Sequence, residues 1–66
     1  MRACNIVIDG EIEYCVEVEG IVYFFNEEIR DQLMHIYTDE EIKSKFLGLP
    51  ASTFSNIIYK EPNVLH

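Results

Sequence analysis

Apolar and polar residues alternate almost without a break over residues 11–19, Glu-Ile-Glu-Tyr-Cys-Val-Glu-Val-Glu. A period of two marks a strand whose successive side chains point to opposite faces, so Ile12, Tyr14, Val16 and Val18 share one face and the glutamates the other. Glu19–Gly20 supplies a two-residue turn into a second run, Ile21–Phe25. That turn sets Val18 against Ile21, Val16 against Tyr23 and Tyr14 against Phe25, keeping each apolar side chain opposite another. A third strand precedes Asp9–Gly10. A strict two-residue turn there pairs Cys4 with Cys15 and Ile6 with Glu13, whereas one more loop residue pairs Ile8 with Ile12, Ile6 with Tyr14 and Cys4 with Val16. The second register keeps one face apolar and is the one expected, because a one-residue slip inverts a whole face. It puts the two cysteines on opposite faces, as separate reduced thiols in a cytoplasmic protein.

From Asn26 the period lengthens to about 3.6. Asn26 is a good N-cap, Glu27 and Glu28 sit where the helix dipole favours acids, and Ile29, Leu33, Ile36 and Tyr37 form one stripe over 27–37. Thr38 followed by Glu41 is a capping box for a second helix, 39–47, that buries Ile42, Phe46 and Leu47 and is stopped by Gly48. Pro50 suits the first turn of a third helix, 50–60, with Phe54, Ile57 and Ile58 inward and Glu61–Pro62 as its end. The expectation is a single α+β domain over 1–66: an N-terminal three-stranded antiparallel β-meander (1–25), a part of three helices (26–60), and a tail (61–66).

The segment from Thr38 to Lys60 resembles a helix-turn-helix of the phage-repressor and Cro-like type, over about a third of the chain. A short acid-rich helix leads into Gly48-Leu49, and then into Ser52-Thr53-Phe54-Ser55-Asn56. Gly48 meets that motif's need for a tight corner, Ser44 its need for a small residue at the crossing, and Leu47, Leu49, Phe54 and Ile57 its apolar wedges. The resemblance implies a small transcriptional regulator that reads duplex DNA in the major groove. Ser52, Ser55, Asn56 and Tyr59 would touch base edges, and Thr53, Lys43, Lys45 and Lys60 the backbone. So few cations make the phosphate contribution small, so a homodimer or a partner protein is expected.

Charge opens a different possibility. The chain carries five Lys and Arg against twelve Asp and Glu, a net of −7, the wrong sign for coating phosphates. Residues 1–41 hold two cations against eleven acids, while 42–66 hold Lys43, Lys45 and Lys60 against Glu61. The alternative reading is an acidic inhibitor or nucleic-acid mimic that presents Glu11, Glu13, Glu17 and Glu19, with Glu27, Glu28 and Asp31, to a basic protein. Val22, Phe24 and Cys15 share the glutamate face, so that face is expected to be covered, by a second copy or by Val64 and Leu65. Neither His35 nor the cysteines have a partner at metal-binding or redox-motif spacing, and no nucleophile elbow or phosphate loop is present. No enzyme, metal or cofactor is expected. No apolar run approaches the ~20 residues of a membrane span, and no membrane association is expected.

Overall fold

The computed structural model describes residues 1–60; the tail at 61–66, with Val64, Leu65 and the expected helix end at Glu61–Pro62, lies outside the described residues. The chain forms β1 (Arg2–Ile8), β2 (Glu11–Val18), β3 (Ile21–Phe25), α1 (Glu27–Ile36), α2 (Asp39–Lys45), β4 (Leu49–Pro50), a 3-10 turn at Ala51–Thr53, and β5 (Ile57–Tyr59). One antiparallel sheet runs in the order β4-β3-β2-β1-β5. The class is α+β, but the architecture is not a three-stranded meander followed by three helices. It is a five-stranded sheet with two helices among the described residues, and no helix at 50–60.

Both hairpins close through two residues with positive φ, Asp9 (52°) with Gly10 (80°) and Glu19 (50°) with Gly20 (83°). That is the type I′ geometry whose twist matches antiparallel strands. The β2–β3 register is the expected one, with Val18 opposite Ile21, Val16 opposite Tyr23 and Tyr14 opposite Phe25. The β1–β2 register is not: Ile8 faces Glu11, Ile6 faces Glu13, and Cys4 faces Cys15. The expected three-residue loop rested on keeping one face of β1 apolar. Here both faces are covered, so Cys4 and Ile6 can sit beside the glutamate side of β2 and still be buried. The two thiols share a face rather than lying on opposite ones.

On the first face Val16, Val18 and Tyr23 bury against Ile42 of α2, with Phe25, Met34, Tyr37 and Phe46 around them. Each fully buried Val or Ile contributes about 1.5–3 kcal/mol. Both helix starts are as expected. Asn26 Oδ1 accepts from the backbone of Ile29 at 2.8 Å, and Thr38 with Glu41 forms a complete capping box. The inward stripe of α1 is turned from its expected position. Arg30 is fully buried and Leu33, Met34 and Tyr37 are half-buried, while Ile29 and Ile36 are exposed. Helix α2 ends at Lys45, short of the expected 47, and Leu47 is 99% exposed.

On the second face Cys4, Ile6, Cys15 and Val22 form a separate core under Phe24, Ala51, Phe54, Ile57 and Tyr59. Residues 51–56 are a strap that crosses from β4 at one sheet edge to β5 at the other. The crossing spans four strand spacings, about 19 Å. Seven residue steps of α-helix from Pro50 to Ile57 would advance only about 10 Å. An extended chain with one tight turn makes the distance, so the sheet excludes the third helix. Gly48, expected as a helix stop, is there for a close approach: a Cβ would lie 2.8 Å from the Val22 carbonyl oxygen. Ile58, expected inward, points to the other side and is exposed.

Candidate functional site

Without a helix at 50–60, the segment resembling a helix-turn-helix has its first helix and not its second. Ser52 and Thr53 lie in the exposed 3-10 turn, and Ser55 and Asn56 are exposed in the chain leading to β5. The Asn56 amide donates to the carbonyl of Val7 at 3.2 Å, which extends the β1–β5 pairing by one link. Tyr59 is a half-buried strand residue opposite Cys4, with the Arg2 guanidinium 3.8 Å from its ring centroid. Burial and the nearby Glu17 raise its phenol above the usual tyrosine range. The Lys60 backbone donates to Ala3.

Lys43 and Lys45 lie on α2, against the opposite face of the sheet from the strap. Lys43 donates to Glu19 and, at 3.1 Å, to Glu40. Those two carboxylates raise its ammonium above the usual lysine range. Lys45 is exposed, its ammonium 6.0 Å from the Tyr37 ring centroid. The eight residues proposed for DNA are therefore split between two sides of a sheet.

The acidic candidates are divided as well. Glu11, Glu13 and Glu17 stand on the strap side of β2, with Glu13 and Glu17 half-buried. A Glu17 oxygen accepts from the backbone of Gly20 at 3.2 Å, and Glu19, in the turn, is held by Lys43. Glu27, Glu28 and Asp31 are exposed on α1 over the other face. Glu27 and Glu28 line a shallow open hollow with Asn26. Glu27 stands beside the Tyr14 hydroxyl and pushes that phenol above its usual range. The second acid-rich helix start adds Asp39, which binds the N-terminal amine at 3.2 Å, together with Glu40 and Glu41. Its backbone and side-chain hydrogen bonds from Thr38 hold Glu41 below the usual carboxylate range.

One feature is not read from the sequence, and a second belongs to the register that the sequence reading sets aside. Arg30 reaches through the helix–sheet layer, donating from Nη1 to the Cys4 carbonyl at 3.1 Å and to Asn5 Oδ1 at 2.8 Å. Its guanidinium carbon lies 5.3 Å from the Tyr14 ring centroid, and its Nε donates to Asp31 at 3.4 Å. The available signal was the spacing Arg30–Leu33–Met34–Tyr37, which is itself a helix face. The second feature is the facing pair Cys4 and Cys15, which the Asp9–Gly10 turn signal would have produced had it been followed.

No group of three or more His, Cys, Asp or Glu residues able to hold a metal occurs among the described residues, and no described helix is long and apolar enough to cross a membrane. Compared with known protein families, curated proteins and solved structures, the chain matches none of them.

Proposed function

We propose that this chain is a small acidic interaction protein that docks on a basic protein partner, with no catalysis of its own. The observation that carries the reading is the fate of its cations. Of five, Arg30 is buried and Lys43 is held by two glutamates, while Asp9, Glu11, Glu19, Glu27, Glu28, Asp31 and Glu40 are exposed among the described residues. The surface offered to a partner keeps the acidic sign of the net of −7, with Asp9, Glu11, Glu27 and Glu28 exposed and outside the ion pairs of the described residues. A field of that kind speeds encounter with a basic surface and repels phosphate backbones. Among the acids, Glu27, Glu28 and Asp31 on α1 are the ones to lead docking. They are exposed together on one rigid element, and Asp31, although it accepts from Arg30 Nε at 3.4 Å, keeps most of its carboxylate in solvent, whereas Glu17 and Glu19 are engaged at the sheet and its turn.

The test is a titration against a lysine-rich peptide and, in parallel, random-sequence duplex DNA, both at ~50 mM salt, where charge contacts are least screened. The peptide should bind with an affinity that falls as salt rises. Reversing Glu27, Glu28 and Asp31 to Lys should abolish binding, while Asn56→Ala with Lys60→Ala should leave it unchanged. Retention of DNA that depends on Lys45 and Lys60 would return the chain to the regulators. Absence of peptide binding at low salt would remove the proposal.

A further inference from the structure

Cys4 and Cys15 are directly opposed on neighbouring antiparallel strands, both fully buried, with their sulfurs 2.9 Å apart. Facing residues in an antiparallel pair have Cα atoms about 4.5–5.5 Å apart, inside the window of about 4.4–6.8 Å that a disulfide accepts. The sulfurs need to close by less than about 1 Å to reach bonding distance. The backbone there is braced. Arg30 holds the Cys4 carbonyl from one side, and β5 pairs with Cys4 through Tyr59 from the other. What separates the thiols from solvent is the strap, whose Ala51 and Phe54 pack on this core with Ile57 and Tyr59 of β5. Three links beyond the sheet pairing hold it: Ala51 donates to Gly20 at 2.8 Å, the exposed Asn56 side chain donates to Val7 at 3.2 Å, and Lys60 donates to Ala3 at 2.9 Å. An element tied by a two-residue strand and a three-residue strand belongs to the part of a structure that opens first.

We propose that Cys4 and Cys15 are a redox pair, closed to a cross-strand disulfide by a low-molecular-weight disulfide when the strap opens. Cys4 attacks first, because lifting β5 uncovers β1 before β2. The Cys4 thiolate bonds to one sulfur of the small disulfide, whose S–S bond breaks, and one small thiol leaves with a proton. The Cys15 thiolate then attacks the Cys4 sulfur and expels the second small thiol. The protein loses two protons and two electrons in total, and the oxidant takes them up to become two thiols. The hydrogen bond between the sulfurs supports that order, since it lowers the Cys4 thiol while it and burial raise Cys15.

The experiment uses the reduced full chain incubated with oxidised glutathione, then unfolded in excess iodoacetamide and weighed intact. The expected product is a monomer that carries no alkyl group and is two hydrogens lighter. Its melting temperature should be higher by on the order of 10 °C, reversibly with reductant, as for closing a loop of this length in a small domain. Phe54→Ala, which loosens the strap where Phe54 meets Phe24 edge-on, should speed oxidation about tenfold or more without changing the product. A chain that still takes up two alkyl groups, or that stalls as a glutathione adduct or a linked dimer, overturns the pair. An unchanged rate in Phe54→Ala overturns the strap as its gate. Because the readout is mass on the wild-type chain, a cysteine variant that fails to fold does not blunt the test.

Discussion

Gly48→Ala is the sharpest test of how the strap is anchored. The added Cβ would lie 2.5 Å from Ile21 Cγ2, 2.8 Å from the Val22 carbonyl oxygen and 2.9 Å from Tyr23 Cε1. Favourable carbon contacts sit at about 3.5–4.0 Å, so all three are too close by roughly half an ångström or more. The Ile21 methyl can turn aside, but the Val22 carbonyl belongs to a strand. Relief must come from Gly48 itself, which draws Leu49–Pro50 away from its pairing with Ile21 and Val22 and strains the bond from Ala51 to Gly20. Overpacking of this kind costs about 1–3 kcal/mol, and a weakened hydrogen bond adds up to about 1 kcal/mol. The sum, about 1–4 kcal/mol, is large against the ~3–5 kcal/mol that the core of so small a chain supplies. Urea unfolding followed by far-ultraviolet circular dichroism measures it, with Gly20→Ala as the control. At Gly20 nothing lies within 4 Å of a Cβ, and only the positive φ of 83° resists substitution, a cost of about 1 kcal/mol. If Gly48→Ala proves milder than Gly20→Ala, or falls within about 0.5 kcal/mol of wild type, the close approach is not what the position requires.

Three further outcomes follow from contacts described above. Arg30→Met keeps the apolar stem but strands the Asn5 side-chain oxygen, and should cost at least about 2 kcal/mol; the double-mutant cycle with Asn5→Ala should recover a coupling near 1 kcal/mol or more. Thr38→Ala removes the cap of α2 and should lower stability by about 1 kcal/mol, read as a shifted urea midpoint with an unchanged slope. Glu41 is held below its ordinary range in the folded chain, so its contribution is present above the unfolded carboxylate value of about 4.3 and is lost as pH falls through the folded one. Glu41→Gln should therefore flatten the decline of stability on the acid side of that value, measured as urea midpoints against pH. An identical pH profile in the variant would mean that the Glu41 carboxylate does not accept from Thr38 in solution.

Local signals were legible where one physical demand dominated. Asn26 and Thr38 announce their helices because each places a side-chain oxygen on an otherwise unpaired amide, a requirement independent of tertiary packing. The β2–β3 register was legible because every residue on one side of that hairpin is apolar. The first hairpin was misread because its two demands disagreed: Asp9–Gly10 asks for a two-residue turn, and an apolar β1 face asks for three. The turn prevails, since the strap buries the other side of the sheet and removes the penalty for Cys4 and Ile6 lying there. Residues 50–60 carry a helix-like spacing at Phe54, Ile57 and Ile58, yet β1 and β3 each need an outer neighbour, and a distance across three strands decides the conformation. Nothing local to that segment encodes the distance. The candidate site fared similarly. The acids are visible in any reading of the chain, but which cations stay free depends on Arg30 turning inward and on Lys43 meeting Glu19 across 24 residues.

The order in which the sheet is assembled has a consequence for biosynthesis. The strand synthesised first, β1, receives its outer neighbour from the last described strand, β5, so a growing chain can complete the meander while Cys4, Ile6, Cys15, Val22 and Phe24 still lack their cover. Until residues 51–59 leave the ribosome that hydrophobic, thiol-bearing side is open to chaperones, to oxidants and to other nascent copies. A ribosome halted before Ala51 would hold the protein in that uncovered form.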